Sequence, residues 1–259
     1  MCKLCSLMDI LQEVAPLSLS QKMIEKGDYD NSGLIIESSE NAHKILFSLD
    51  LSIEVVDKAI DLGCDTIVTH HPAIYAPIKN LSVNDQTKPL ILAIQNKINV
   101  VSMHLNLDIT TDGIDHSLAL GLGGKDIEVL ELVDGEHGYG RVSRVDSQSL
   151  VQFVERVKKT FGTDKVVYYG NKQVDKIASF CGSGGSQALQ CCQMDGVDTV
   201  ITSDLAHHHL KELIEKDKNV VILPHYASEQ YGFNKFYLAV KDKLKDTAQT
   251  FYFVDNRFM

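Results

Sequence analysis

Residues 52–72, SIEVVDKAIDLGCDTIVTHHP, contain a helical pattern, a glycine, a strand pattern and two histidines in close succession. Apolar residues recur at helical spacing over residues 53–62, and Gly63 is a typical helix stop. The β-branched run Thr66-Ile67-Val68-Thr69 predicts a strand, which leads directly into His70-His71-Pro72. The stretch therefore predicts a helix–strand unit that ends in a pair of histidines.

Strand and helix patterns alternate along the rest of the chain. Strands are predicted at residues 34–36, 45–49, 66–69, 100–103, 166–169, 177–180, 199–202, 220–223 and 250–254. Helices are predicted at residues 6–26 with a break at Pro16, 52–63, 87–98, 146–161, 186–195, 206–216 and 228–245. The helix over 146–161 opens at Asp146, with Ser147 and Ser149 as further capping candidates. The alternation favours an α/β fold with mostly parallel or mixed sheets.

A glycine-rich stretch marks the expected boundary between two linked α/β lobes. The length of 259 residues accommodates two modest domains. Gly121-Leu122-Gly123-Gly124 interrupts the alternation of elements and divides the chain into residues 1–124 and 125–259.

The composition is that of a globular protein, with 44% hydrophobic and 23% charged residues. A net charge of -10 disfavours binding to nucleic acid, whose phosphates require a basic surface. No apolar run approaches the ~20 residues that span a bilayer, and the first residues do not resemble a signal peptide. The six cysteines lack the spacing of a disulfide framework. Cys2-x-x-Cys5 is interpreted as an incidental pair, and the alternative is a metal-binding or redox-active motif. We therefore expect a cytoplasmic protein without nucleic-acid or membrane partners.

Three predicted strands run into histidines. They are Ile67-Val68-Thr69-His70-His71, Val100-Val101-Ser102-Met103-His104 and Val220-Val221-Ile222-Leu223-Pro224-His225. In α/β sheets, ligands bind beyond the carboxyl ends of the strands, so these ends can converge although they are far apart in sequence. Asp108 follows His104 by four residues, and Glu229 follows His225 by four.

Together these side chains form a candidate ligand set for metal. Imidazoles with carboxylates suit Zn, Mn, Fe(II), Co or Ni better than Ca, and five ligands suit two cations ~3.5–4 Å apart. Alternatively, each histidine caps a strand or packs in the core. In a regular strand His70 and His71 would point to opposite faces, so both reach one site only if the chain bends, as Pro72 suggests.

Two further motifs are candidates for the chemistry. The loop Gly182-Ser183-Gly184-Gly185-Ser186 lies between a predicted strand and a helix, so its backbone is either an anion cradle or a tight structural turn. The run His207-His208-His209 lies on a predicted helix, where neighbouring side chains point about 100° apart. One of the three can line a pocket, and the others lie on a solvated face.

Six segments of the chain resemble the GTP cyclohydrolase 1 type 2 homologues, also called the NIF-three-like proteins. They are Asp30-Asn31-Ser32-Gly33-Leu34, Thr69-His70-His71-Pro72, His104-Leu105-Asn106-Leu107-Asp108 with Gly113, Cys181–Ser186, Thr202-Ser203-Asp204 with His208, and His225-Tyr226-Ala227-Ser228-Glu229. The segments follow the family's order and span most of the chain. The chain has Leu105 where the family usually has threonine, and Ser203 where it usually has glycine. These two differences alter the expected wall of the pocket, and therefore the expected substrate.

The resemblance implies a dinuclear metal centre between two α/β lobes, at the carboxyl ends of strands. By position, His71 and Asp108 would hold one cation, His70 and His225 the other, and Glu229 would bridge them. Members of this short form also assemble as toroidal hexamers, which implies a homohexamer.

The implied activity is metal-dependent hydrolysis of a nucleotide-like small molecule, with cyclohydrolase attack at the C8 carbon of GTP and loss of formate. His104 or His208 is expected to shuttle protons, because an imidazole exchanges a proton near neutral pH. The glycine loop would hold an anionic group. The alternative is a non-catalytic metal-binding regulator or scaffold that forms a hexameric ring.

Overall fold

A computed structural model describes residues 2–83 and 86–259, apart from the side chain of Cys192. Its strands are β1 Gly33–Ile36, β2 Lys44–Ser48, β3 Thr66–Thr69, β4 Asn99–Ser102, β5 Lys125–Asp134, β6 His137–Ser149, β7 Val167–Tyr169, β8 Gln173–Ser179, β9 Thr199–Thr202, β10 Asn219–Ile222 and β11 Gln249–Tyr252. Its helices are α1 Leu4–Val14, α2 Leu17–Lys26, α3 Ile53–Leu62, α4 Lys88–Gln95, α5 Leu105–Ile109, α6 Ile114–Gly121, α7 Leu150–Phe161, α8 Gln187–Gln190, α9 His207–Glu215 and α10 His225–Leu244, with a 3-10 turn at Cys191–Gln193.

The chain divides into two compact units, each with its own mixed sheet, and this confirms the predicted α/β class. The first unit is Met1–Leu107 with Asn234–Val254, and the second is Asp108–Phe233 with Asp255–Met259. This division differs from the boundary predicted at residue 124. In particular, Asn234–Val254 belongs to the first unit, because β11, near the end of the chain, pairs in parallel with β2 of the first sheet.

The sheet of the first unit has the strand order β1-β4-β3-β2-β11. Strands β4, β3, β2 and β11 are parallel, and β1 is antiparallel to β4 with Gly33 opposite Ser102. All residues of β3 and β4 are buried, which is why they read as continuous β-branched runs. The segments that follow β2, β3 and β4 therefore lie at one edge of the sheet, together with the segment that precedes β1.

Helix α3 shows why the elements form where the sequence predicts them. The Ser52 side chain accepts a hydrogen bond from the backbone N–H of Val55 at 3.2 Å, which satisfies a donor of the first turn. Gly63 ends the helix in the left-handed region with φ of 65°. The buried face of the helix packs against the sheet through Val55, Val56 and Ala59.

The sheet of the second unit has the order β5-β6-β8-β9-β10-β7. Strands β8, β9 and β10 are parallel, whereas β5, β6 and β7 join by antiparallel pairing. The carboxyl ends of β8, β9 and β10 therefore share one edge, as those of β2, β3 and β4 do in the first unit.

The hairpin of β5 and β6 was not predicted, and the predicted start of a helix at Asp146 is wrong. β6 extends to Ser149, because Gln148 and Ser149 pair with Val174 and Gln173 of β8. The helix α7 begins only at Leu150. Pairing with a distant strand decides this boundary, and such pairing is not visible in the local sequence.

Two findings concern the rest of the described chain. Among the described residues, no helix combines the length and apolar character that a bilayer span requires. Among the cysteines whose side chains are described, Cys2, Cys5, Cys64 and Cys181 are free thiols.

Ser149→Ala is expected to lower the free energy of unfolding by about 1 kcal/mol, because Ser149 caps α7. Its side chain accepts from the Gln152 N–H, and the Gln152 side chain accepts from the Ser149 N–H at 3.1 Å, which completes a capping box. Chemical denaturation measures the change. Ser147→Ala is the matched control, because Ser147 is an exposed residue of β6. Equal effects of the two substitutions would contradict this assignment of the cap.

Candidate metal centre

The edge of the first sheet beyond β3 and β4 carries three histidines. The chain leaves strand geometry directly after Thr69, and His70 and His71 occupy the bend. Their N–H groups both donate to the carbonyl of Leu49, at 3.1 and 2.9 Å, which anchors the bend to the segment after β2. The two rings lie 4.9 Å apart, and the ring of His104 lies 5.2 Å from that of His70. The bend thus brings together two side chains that a regular strand would point to opposite faces.

Each of these three imidazoles has an acceptor at Nδ1. The pairs are His70 with the carbonyl of Met103 at 2.8 Å, His71 with Asp50 at 2.7 Å and His104 with Asp30 at 2.7 Å. A carbonyl or an ionised carboxylate can only accept, so Nδ1 carries the proton and Nε2 presents its lone pair. This is the arrangement found in metal-binding histidines. The Nε2 atoms of His70 and His71 are buried.

Asp30 is the most enclosed of the orienting carboxylates, with a fully buried side chain. It accepts hydrogen bonds from Ser20, from Ser32 at 2.6 Å and from His104. Burial by itself would raise the pKa of Asp30, but these three hydrogen bonds outweigh it and lower the pKa below its ordinary value. The ionised carboxylate therefore fixes both the tautomer and the orientation of His104.

The edge of the second sheet beyond β9 and β10 carries a fourth histidine and a buried glutamate. His225 begins α10, and its Nδ1 lies 2.7 Å from the carboxylate of Asp204, which follows β9. Its Nε2 lies 2.9 Å from Oε1 of Glu229, one helical turn later. The spacing of four residues places both side chains on one face of α10.

Gly182 approaches this pair closely. A Cβ atom at this position would lie 2.6 Å from Oε1 of Glu229 and 3.2 Å from Nε2 of His225. The residue also has a φ of 54°, in the left-handed region that favours glycine. Its N–H donates to Ser228 at 3.2 Å, and its carbonyl accepts from the N–H of Asp204 at 3.0 Å. Glycine is required here by backbone conformation and by space for the two side chains.

The rest of the glycine loop is held by side chains of neighbouring strands. The phenol of Tyr139, on β6, donates to the carbonyls of Ser183 at 2.6 Å and Cys181 at 3.1 Å. Burial, reinforced by nearby acidic groups, raises the pKa of Tyr139 well above its ordinary value, so the phenol remains a donor. The N–H of Gly184 donates to Thr202 at 2.8 Å. These contacts support a tight structural turn, and the anion cradle stays a prediction.

Two groups of side chains have the composition of a metal site. They are His70, His104 and Asp108, and His70, His71 and Glu229. Each group mixes imidazole nitrogen with a buried carboxylate, and a divalent cation would compensate the cost of burying that charge. The donor set and the space that Gly182 leaves fit a metal, so these groups could hold a metal ion.

The proposed proton shuttles occupy different settings. His104 belongs to one of the two groups. Among the described residues, His208 is in neither group; it is exposed on the first turn of α9, with its ring centroid 4.1 Å from that of His209.

The sequence analysis assigned no role to the carboxylates that orient the histidines. Asp50 and Asp204 each follow a predicted strand closely, and this position is the signal that could have found them.

The sequence as a whole matches a known family. The family model described as Duf34/NIF3 (NGG1p interacting factor 3) matches residues 2–257. The chain belongs to this family. The resemblance identified from the six sequence segments is thereby confirmed.

Relatives of the Duf34/NIF3 family are similar over most of their length. A Clostridium acetobutylicum protein named GTP cyclohydrolase 1 type 2 homolog is 31% identical over 235 residues, which cover 88% of this chain and 85% of the relative. Saccharomyces cerevisiae NGG1-interacting factor 3 is 31% identical over 241 residues, 82% of each protein. The crystal structure of a Bacillus cereus protein related to NIF3 superposes with a TM-score of 0.89 over 99% of this chain and 98% of that one. At 18% identity, that likeness establishes the fold alone.

Gly182→Ala is expected to weaken divalent-cation binding about tenfold or more, because its Cβ would displace Glu229 and His225. Titration calorimetry with Zn²⁺ or Mn²⁺ measures the affinity. Gly196→Ala is the matched control, since Gly196 has φ of 77° but a Cβ there would meet only Lys176 at 3.7 Å. If both variants bind metal as the wild type does, the close approach of Gly182 has no role in the site.

Proposed function

We propose that the chain binds two divalent cations and acts as a metal-dependent hydrolase on a nucleotide-like small molecule. In this proposal His71 and Asp108 would hold one cation, His70 and His225 would hold the other, and Glu229 would bridge them. The cations belong to the class of Zn, Mn, Fe, Co and Ni, which mixed imidazole and carboxylate ligands favour.

The observation that carries the proposal is the uniform orientation of three imidazoles of the first unit. In His70, His71 and His104, Nδ1 faces an oxygen acceptor and Nε2 is presented. In His225 both nitrogens face carboxylates, Nδ1 that of Asp204 at 2.7 Å and Nε2 that of Glu229 at 2.9 Å. Histidines that only cap strands or fill a core have no reason to share one tautomer. Metal ligation gives that reason, because the acceptor at the second nitrogen fixes the ring and raises its basicity.

The chemistry would be divided between the cations and the chain. Bound cations would supply Lewis-acid activation of water and of substrate oxygens. His104 is proposed as the proton shuttle, because the buried carboxylate of Asp30 holds its ring in a fixed orientation. His208 is the second candidate. An anionic group of the substrate would bind at the glycine loop, Gly182-Ser183-Gly184-Gly185.

Two exposed tyrosines beside His104 support a substrate with a planar ring. Tyr75 is 54% exposed and Tyr29 is 47% exposed, and their rings meet edge to face with centroids 5.0 Å apart. The ring of Tyr75 lies 6.4 Å from that of His104. The side chain of Asn31 donates to the carbonyl of Ile74 at 2.6 Å and so anchors the segment that carries Tyr75. Aromatic faces of this kind bind the flat faces of bases by stacking.

The first test combines metal content with turnover. Elemental analysis of the wild type is expected to find two divalent cations per chain, and Glu229→Gln is expected to retain fewer because it removes the bridging charge. Glu136→Gln, at an exposed position, is the control. Retention of two cations by Glu229→Gln would contradict the bridging role. Failure of the metal-loaded wild type to turn over GTP, phosphoesters or cyclic amides would contradict the hydrolase.

The same measurements separate two roles for His104. His104→Gln is expected to keep both cations and to lose turnover, because a shuttle acts on protons and does not hold the metal. Loss of a cation from this variant would make His104 a ligand instead.

Tyr75→Ala is expected to weaken nucleotide binding by about 1–3 kcal/mol, the scale of base–aromatic stacking, with metal content unchanged. Tyr75→Phe should retain binding because it keeps the ring. The matched control is Tyr168→Ala, since Tyr168 is a 41% exposed tyrosine on β7. Equilibrium titration with GTP measures the effect. Equal affinities of Tyr75→Ala and the wild type would show that Tyr75 does not contact the base.

The alternative proposal is a non-catalytic metal-binding regulator or scaffold that forms a homohexameric ring. It is favoured by the name of the yeast relative, which describes an interaction with another protein. Light scattering would give the mass of the assembly. A metal-loaded hexamer without turnover of any substrate tested would favour this alternative over the hydrolase.

A further inference from the structure

A buried ion pair lies in the second unit, outside the proposed ligand set. The side chains of Asp115, on α6, and Arg141, on β6, are 0% and 1% exposed, and their closest charged atoms are 3.9 Å apart. Burial raises the pKa of Asp115 to about 6, even though the nearby Arg141 acts to lower it. Such a pair is costly to bury, and well-packed apolar residues often replace one without loss of stability. Its presence therefore calls for a role other than stability.

Asp115 holds two backbone segments at once. Its Oδ1 accepts the N–H of Cys181 at 2.7 Å, and its Oδ2 accepts the N–H of Gly140 at 2.6 Å. Cys181 directly precedes Gly182, the residue in close contact with His225 and Glu229. Asp115 thus fixes the start of the glycine loop relative to β6.

Arg141 holds a third segment. Its guanidinium donates to the carbonyls of Gly138 at 2.7 Å and Gly140 at 3.0 Å, and to the carbonyl of Thr110 at 3.4 Å. Thr110 lies two residues after Asp108, at the end of α5. The fork of the guanidinium therefore ties the β5–β6 hairpin to the segment that carries Asp108.

The two sets of contacts meet at Asp108. Cys181, whose N–H is held by Asp115, has its Sγ 3.4 Å from Oδ1 of Asp108, so its thiol can donate to that carboxylate. The backbone just after Asp108 is held by Arg141 through Thr110. One contact fixes the rotation of the Asp108 carboxylate, and the other fixes the position of its backbone.

We infer that Asp115 and Arg141 are positioning residues that hold Asp108 in the orientation required to bind a cation, acting through Cys181 and Thr110. This inference rests on the proposed function, in which Asp108 is a ligand. Residues that orient a metal ligand through hydrogen bonds commonly change metal affinity by about 10–100-fold when they are replaced.

Asp115→Asn tests the inference, with Zn²⁺ or Mn²⁺ titrated into the metal-free full chain. Asparagine can accept only one of the two N–H groups, and its own N–H₂ would face the other. The affinity of the site that contains Asp108 is expected to fall about 10–100-fold. Val157→Ala is the control for simple destabilisation, because Val157 is a buried residue of α7 in the same unit. Equal cation affinities of Asp115→Asn and Val157→Ala would overturn the inference.

A series at Cys181 keeps the test decisive if Asp115→Asn does not fold. Cys181→Ser retains a donor to Asp108 and is expected to retain affinity, whereas Cys181→Ala is expected to lose it. Where Asp115→Asn does fold, its double variant with Cys181→Ala should bind metal no worse than the weaker single variant, because both act along one path. Equal affinities for the serine and alanine variants would overturn the inference. Absence of cation binding by the wild type would instead refute the proposed function.

Discussion

The hydrogen bond at Nδ1 of each site histidine is the interaction on which the candidate metal centre depends. An imidazole that binds metal through one nitrogen is oriented through the other, and here a main-chain carbonyl or a carboxylate lies at Nδ1 of His70, His71, His104 and His225. Without these acceptors the rings could rotate or change tautomer, and no fixed set of Nε2 lone pairs would exist. The acceptors come from segments at the same sheet edges as the histidines, so the sheets themselves supply the geometry.

Parallel pairing is the reason that several functional side chains lie at each of those edges. Strands that run in one direction end at one edge, and each end exposes a short segment whose side chains can converge. In the first unit the segments after β2, β3 and β4 contribute Asp50, the histidine bend and His104. In the second unit the segments after β8, β9 and β10 contribute Gly182, Asp204 and His225. The two units thus share one arrangement, in which polar side chains follow buried apolar strands.

The second unit adds a constraint of space. A side chain at Gly182 has no room beside Glu229 and His225, and the adjoining loop is held by Tyr139 and Asp115. Tyr139 and Asp115 therefore hold the loop in place beside His225 and Glu229. Membership of the Duf34/NIF3 family agrees with this architecture.

The sequence by itself determined the α/β class, because buried parallel strands are written as β-branched runs and helix ends are marked by residues such as Gly63. It also determined which histidines and carboxylates follow strands, since that information is local. Tertiary structure decided the rest. The bend that joins His70 and His71, the β5–β6 hairpin that displaces the start of α7 to Leu150, and the return of β11 to the first sheet depend on distant partners. Asp50 and Asp204 follow predicted strands, but the histidine that each one orients lies in a distant segment. Asp30 and the buried pair of Asp115 and Arg141 have no local signature, because their roles are hydrogen bonds to segments far away in the chain.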